Sequence, residues 1–158
     1  MASHAGLSYY TRAMREFIVE IGGIAATVLL ATACGGAPPS AASHSFPAES
    51  LLVLNSDSGQ ARVEVRTAPE QPPTRGNVSM QLSITDAATG APEAGLELSA
   101  VPWMPAMGHG TSVTPTIVET SPGIYDLENL VLFMPGTWQI RTDWDGSVEH
   151  VTPTFEIP

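Results

Sequence analysis

The stretch Asn77-Val-Ser-Met-Gln-Leu-Ser-Ile-Thr85 places an apolar side chain at every second position. Successive side chains of an extended strand point to opposite faces, so this period of two predicts a strand with one buried face. The stretch Thr137-Trp-Gln-Ile-Arg-Thr-Asp-Trp144 shows the same alternation. Both stretches predict core strands, whose inward side chains are Val78, Met80, Leu82 and Ile84 in the first and Trp138, Ile140 and Trp144 in the second.

Working outward from these two stretches, short apolar runs separated by Gly and Pro turns fill residues 51–158, and no helical period is sustained. Further strands are predicted at Leu51–Leu54, Ala61–Thr67, Leu96–Val101, Thr114–Glu119, Ile124–Met134 and Ser147–Ile157. Strands of this length and spacing predict an all-β fold, an Ig-like β-sandwich of about seven strands. Pro153 cannot donate to a sheet ladder, so it predicts an edge strand or a bulge in the last run.

An apolar segment near the start of the chain, Ile21–Ala33, holds thirteen uncharged residues. A helix needs about 20 residues to span a membrane core, whereas a run of this length suits the apolar region of a signal peptide. Arg12 and Arg15 precede the segment, and Leu-Leu-Ala-Thr-Ala-Cys34 at its end resembles a bacterial lipobox. We therefore expect residues 1–33 to be a lipoprotein signal peptide and Cys34 to be lipidated.

Lipidation of Cys34 implies a membrane anchor, because two or more acyl chains suffice for stable attachment. The expected location is the extracytoplasmic face of the cell envelope, periplasmic or surface, on either the inner or the outer membrane. A rival interpretation is an uncleaved short membrane helix with an inert cysteine. Glu16 and Glu20 lie in the part of a signal peptide that is usually basic. A start at Met14 would give a more compact signal than a start at Met1, so two start codons are considered, Met1 and Met14.

A linker is predicted after the anchor, within residues 34–50. Gly35–Ser50 is rich in Gly, Pro, Ala and Ser and has no apolar period. Such a composition buries too little surface to fold, so we expect a disordered tether. The folded domain is then residues 51–158.

The chain is acidic, with sixteen Asp and Glu against six Lys and Arg. Arg12, Arg15, Glu16 and Glu20 all precede Cys34, which leaves fourteen acidic residues against four Arg in the mature part. This balance argues against nucleic acid as a partner, because phosphate binding needs a basic patch. Catalysis is not expected either, since no nucleophile, base and orienting group share a known spacing.

Three segments carry a resemblance to a known family: Val101-Pro-Trp-Met-Pro-Ala-Met-Gly-His-Gly110, Gly123-Ile-Tyr125 and Phe133-Met-Pro-Gly-Thr-Trp-Gln-Ile-Arg141. They resemble the YtkA-like domain, over roughly residues 76–157. That domain is related to FixH, which is linked to cytochrome oxidase assembly, but this chain has a lipobox where FixH retains a membrane helix. The resemblance implies an extracytoplasmic Ig-like sandwich.

The candidate chemistry lies in the first of these segments. Met104, Met107 and His109 place two thioethers and an imidazole within six residues. Thioethers select Cu(I), and imidazole also suits copper, so these residues are candidate Cu(I) ligands. The alternative is structural, because methionines fill irregular gaps in cores.

Three further residues belong to this hypothesis. Trp103 could cap the bound cation through its ring face, Met134 could approach if the loops converge, and His150 is a more remote candidate. Each has a structural alternative: Trp103 as a plug at one end of the sandwich, Met134 as a strand-end core residue, and His150 as part of a surface pair. Two functions are therefore predicted: a non-catalytic module that binds another envelope protein, or a Cu(I)-binding accessory protein.

Overall fold

The structure, a computed structural model, describes residues 44–144, 146 and 149–158. The predicted signal peptide, the choice of start codon and Cys34 lie outside the described residues. They stay predictions.

Ten strands form in the described residues, and every pairing between them is antiparallel. In chain order they are β1 (Leu52–Asn55), β2 (Ala61–Ala68), β3 (Gly76–Asp86), β4 (Ser99–Met104), β5 (His109–Gly110), β6 (Thr116–Ser121), β7 (Ile124–Leu132), β8 (Gly136–Trp144), β9 (Glu149–Val151) and β10 (Thr154–Ile157). Sheet A has the order β1-β2-β3-β7-β6, and sheet B has the order β10-β8-β4-β5, with β9 also paired to β8.

The predicted all-β sandwich is confirmed, although the described strands outnumber the predicted seven. The last predicted run divides at Pro153 into β9 and β10, which lie along the same side of β8. Pro153 still takes part in the sheet, because its carbonyl accepts a hydrogen bond from the Ile140 N–H at 2.8 Å. His109–Gly110 adds the two-residue strand β5, which the apolar pattern alone does not predict.

The core lies between the inner faces of the two sheets, as the alternation predicts. The inward side chains of β3 and β8 are all buried: Val78, Met80, Leu82, Ile84, Trp138, Ile140, Thr142 and Trp144. Trp138 is 2% exposed, and its indole N–H donates to the Met134 carbonyl at 2.9 Å. A buried indole of this kind combines a large apolar area with a satisfied polar group.

The strand predicted at Leu96–Val101 is displaced toward the C-terminus and runs from Ser99 to Met104. The N–H of Leu96 donates to the Tyr125 hydroxyl at 3.0 Å, so it is not available to a neighbouring strand. The same hydroxyl donates to the Glu93 carbonyl at 2.7 Å. Tyr125 is 1% exposed, and its burial raises the pKa of the phenol. It therefore fixes the loop that leads into β4.

The last residues of the predicted linker lie against sheet A. Arg66 on β2 donates through Nε and Nη2 to the Ala48 carbonyl, each at 3.4 Å. Gln71 Nε2 donates to the Glu49 carbonyl at 2.9 Å. The end of this segment is thus hydrogen-bonded rather than loose, which differs from a disordered linker extending to residue 50.

Candidate functional site

The segment with the candidate ligands forms a β-hairpin. Met104 on β4 is the register partner of His109 on β5. Between them, the N–H groups of Met107 and Gly108 both donate to the Met104 carbonyl at 3.1 Å, and Gly108 has a φ of +67°. Gly110 is needed because a Cβ there would stand 2.2 Å from the Pro102 carbonyl oxygen. Glycine thus provides both the turn and the close approach of the strands.

The three candidate ligands differ sharply in burial. Met104 is 5% exposed, and its terminal methyl would lie 2.9 Å from a Cβ placed on Gly136. Met107 is 57% exposed, and His109 is exposed with its Nδ1 3.2 Å from the Gly110 carbonyl oxygen. Directly opposite residues in an antiparallel pair share a face. The structure therefore brings Met104 and His109 to adjacent positions on one face and leaves Met107 on the turn between them.

Met134 lies on the turn between β7 and β8, next to the hairpin. Because Trp103 pairs with Gln139, the end of β4 lies beside the start of β8. Both turns therefore lie at the same end of sheet B. Met134 is half-buried against the core, whereas the preceding Phe133 is 65% exposed. We call Met104, Met107, His109, Phe133 and Met134 together the tip.

The tip and most of the sandwich fall within one family match. A model of the family described as YtkA-like matches residues 57–143, which is more than half of the chain. The chain belongs to the YtkA-like family. The match runs from the turn after β1 to Asp143 on β8, so it contains every residue of the tip. No curated protein and no solved structure matches the chain.

Trp103 of the YtkA-like domain points away from the candidate ligands. Neighbouring residues on a strand face opposite sides, so the buried Met104 side chain places the Trp103 ring on the outer face of sheet B. There the Arg141 guanidinium carbon lies 4.6 Å from the ring centroid, which is a cation–π contact. In this structure the cation on Trp103 is Arg141, and a metal cap by Trp103 stays a prediction.

His150 lies at the other end of β8 from the tip. It pairs in register with Asp143, near the C-terminal end of β8, whereas Met134 directly precedes the start of that strand. Its Nε2 is 2.6 Å from Asp57 Oδ2. The structure therefore does not bring His150 to Met104, Met107 and His109, but places it in a surface pair.

Phe133 is the tip residue whose exposure sequence reasoning missed. Leu130 and Leu132 are buried in the core. Because side chains alternate between the two faces of a strand, the next residue, Phe133, points to solvent. This alternation is the sequence signal that could have identified the exposed position.

Among residues 44–144, 146 and 149–158, no three His, Cys, Asp or Glu side chains form a metal site. The copper hypothesis depends instead on the thioethers of the tip. None of the described residues forms a helix long and apolar enough to cross a membrane.

Proposed function

We propose that this YtkA-like protein is a lipid-anchored, non-catalytic module of the extracytoplasmic envelope that binds another envelope protein through the tip. The observation that carries the proposal is the exposure of two large apolar side chains on neighbouring turns, Met107 at 57% and Phe133 at 65%. Clustered apolar exposure is typical of protein contact sites. Methionine and aromatic residues are also enriched in the cores of interfaces.

The residues beneath these side chains support a preorganised surface. Met104 is buried against Gly136, and the Met134 carbonyl accepts the hydrogen bond from the Trp138 indole. Both turns are thereby attached to the core before any partner arrives. A surface that is already ordered loses less conformational entropy on binding, which favours affinity.

Support for a non-catalytic role comes from how the titratable groups are used. The hydrogen bond from Arg62 lowers the pKa of Glu64, and hydrogen bonds from Thr89 lower the pKa of Asp86. Burial raises the pKa of Tyr125. The Ser58 hydroxyl also lowers the pKa of Glu149, on β9 of sheet B. Perturbed groups can mark catalytic sites, but these four do not share one site, and each pKa shift follows from a local structural contact.

Anchoring through Cys34 is tested by Cys34→Ser, which removes the only thiol in the chain. The wild-type protein should incorporate palmitate and partition into detergent, and Cys34→Ser should do neither. Equal labelling and partitioning of the two proteins would contradict the anchor.

The tip is tested by placing a photo-crosslinking residue at position 107 or 133 in living cells. Each position should give a crosslinked species of the same mass. The matched control is position 53, because Val53 is also apolar and 50% exposed but lies on β1 of sheet A. The same species at position 53, or none at 107 and 133, would contradict the tip as the contact surface.

A Cu(I)-binding accessory role is the second candidate, and the register pairing of Met104 with His109 favours it. This pairing places a thioether and an imidazole on one face, and the Met107 thioether lies on the intervening turn. Such a donor set suits Cu(I) better than Zn(II), because thioethers are soft ligands.

The copper role is tested by anaerobic Cu(I) competition against a chromophoric chelator, using the full chain with Cys34→Ser. One equivalent should be retained, and Met104→Leu, Met107→Leu and His109→Asn should each weaken retention. Met80→Leu is the matched control, since Met80 is fully buried in the core on β3. No retention by the parent chain, or an equal loss in Met80→Leu, would contradict copper binding.

A further inference from the structure

A shallow groove of about 520 Å³ lies on the outer face of sheet B, and no proposed role of the tip depends on it. Its walls come from β4, β8 and the β9 region: Val101, Trp103, Arg141, Asp143, His150 and Thr152. Val101 forms an apolar floor and is 47% exposed. We call this surface the sheet B groove.

The groove exists because Arg141 leans away from its cross-strand partner. Val101 and Arg141 are directly opposite in register, so an upright Arg141 side chain would cover Val101. Instead the guanidinium lies over Trp103, and its Nε and Nη2 donate to Gln139 Oε1 at 3.3 and 3.1 Å. The apolar floor is left open beside a positioned cation.

The charged side chains at the two ends of the groove differ in their interaction partners. Asp143 Oδ2 accepts a hydrogen bond from Ser99 Oγ at 2.7 Å, and His150 Nε2 contacts Asp57 at 2.6 Å. In the part of the chain that the structure describes, Arg141 forms no ion pair. Arginine carries five N–H donors, and the two side-chain hydrogen bonds of Arg141 to described residues go to a single uncharged acceptor.

We infer that the sheet B groove binds an extended segment of a partner protein in which a carboxylate adjoins an apolar side chain. The carboxylate pairs with the Arg141 guanidinium, whose planar fork suits two parallel hydrogen bonds. The apolar side chain covers Val101 beside the Trp103 ring. Charge complementarity selects a carboxylate at this end, because Arg141 is a guanidinium cation that has no ion pair among the described residues.

The test uses two short peptides, acetyl-Leu-Asp-Leu-amide and the uncharged match acetyl-Leu-Asn-Leu-amide. Each is titrated into the ¹⁵N-labelled full chain with Cys34→Ser in mild detergent. The Trp103 indole resonance should shift saturably, while those of the buried Trp138 and Trp144 stay in place. The Asp peptide should bind about tenfold more tightly than the Asn peptide, which corresponds to about 1.4 kcal/mol.

Two variants isolate the chemistry. Arg141→Gln should reduce the affinity for the Asp peptide to that for the Asn peptide, whereas Arg62→Gln on sheet A should leave it unchanged. Because Arg141→Gln also removes the contact with Trp103, Val101→Ser provides a second test: it keeps the cation and should weaken both peptides equally. Unchanged Trp138 and Trp144 resonances show that each variant is folded.

Three outcomes of the peptide titrations overturn the inference. They are equal affinity for the two peptides, shifts that map outside the groove, and no saturable shift at millimolar peptide. Inorganic phosphate serves as the probe for a simple anion site. If phosphate displaces the Asp peptide at equal concentration, the groove binds anions in general and the apolar floor has no role.

Discussion

The outer faces of the two sheets use their arginines in opposite ways. On sheet A, Glu64 Oε1 lies 2.6 Å from Arg62 Nη1 and its Oε2 3.0 Å from Arg66 Nη2, and Gln81 donates to Asp126 at 2.9 Å. On sheet B, Arg141 lies over an aromatic ring and leaves its register partner Val101 open. On sheet A, Arg62 and Arg66 thus pair with a carboxylate, whereas on sheet B Arg141 forms no ion pair among the described residues and lies beside the exposed Val101.

This difference indicates a division of roles within one small sandwich. The segment 48–49 is hydrogen-bonded by residues of sheet A and the loop after β2, so the chain itself occupies part of that side. The sheet B groove and the hairpin of the tip belong to the opposite sheet, and Phe133 and Met134 of the tip lie on the turn that joins β7 to β8. Binding surfaces placed on rigid elements are held more precisely than surfaces on loops, and β4 and β8 provide such elements for the sheet B groove.

The largest expected effect concerns the inner faces, where the two sheets should behave alike. Trp138→Ala should lower the free energy of unfolding by about 3–5 kcal/mol, because burial is lost and a cavity remains. Met80→Ala on sheet A should cost about 2–5 kcal/mol for the same reason. Urea denaturation of both variants checks the prediction.

The matched control for those core variants is Phe133→Ala, which removes an aromatic ring that is 65% exposed. Its effect on unfolding should stay within about 0.5 kcal/mol, as for most surface changes. A loss for Phe133→Ala as large as that for Trp138→Ala would show that the tip is part of the core and not a contact surface.

A smaller effect is expected at Tyr125, where sheet A holds the loop entering β4 of sheet B. Tyr125→Phe leaves the Glu93 carbonyl and the Leu96 N–H without their partner, at a cost of about 1–3 kcal/mol. Thermal and urea unfolding at neutral pH measure this difference.

The pH dependence of the same variant has a definite sign. Burial raises the pKa of Tyr125 above its ordinary value near 10. The fold therefore favours the protonated phenol, and this stabilisation is complete below pH 10 and lost as the pH rises through the folded-state pKa. The stability advantage of wild type over Tyr125→Phe should shrink above pH 10. An advantage that grows there would contradict the burial argument.

The strands could be predicted from sequence wherever a local rule decides the outcome. The alternation in residues 77–85 and 137–144 marks the inward positions because side chains of a strand alternate between its faces. The start of β4 could not be predicted, since the Leu96 N–H is taken by Tyr125, 29 residues further along the chain. Strand β5 was missed because it depends on Gly110 approaching the Pro102 carbonyl, and a glycine in sequence does not name its neighbour.

The site was predicted by residue type but not by geometry. Met104 and Met107 are chemically identical and three positions apart, yet one is 5% and the other 57% exposed. The turn that separates them is closed by hydrogen bonds to the Met104 carbonyl, and no local pattern encodes which sulfur enters the core. The attachment of residue 48 through Arg66 was invisible for a similar reason, because composition describes a segment without its partners.

The two methionines of the hairpin provide the next prediction. Met104→Leu nearly conserves volume in a packed site, so it should cost up to about 1.5 kcal/mol, whereas Met107→Leu should change stability by less than about 0.5 kcal/mol. If the tip binds its partner directly, Met107→Ser should reduce crosslinking from position 133 more than Met104→Leu does. The reverse order, with Met107 controlling stability, would contradict the positions assigned to the two side chains.

The smallest effect returns to the outer faces and their arginines. Arg62→Gln removes the largest cause of the lowered pKa of Glu64 on sheet A, at a cost of about 0–1 kcal/mol for an exposed ion pair. A carboxylate with a depressed pKa stabilises the fold above its unfolded-state pKa, and this contribution disappears as the pH falls through the folded-state value. The difference between wild type and Arg62→Gln should therefore be present at pH 7 and vanish at strongly acid pH.

Arg141→Gln on sheet B is the control. Its cation–π contact involves no carboxylate, so its effect of about 0.5–1 kcal/mol should stay constant over the same pH range. Urea midpoints measured from neutral to acid pH distinguish the two arginines, and a pH-dependent loss for Arg141→Gln would reveal a carboxylate partner on sheet B and remove the contrast between the faces.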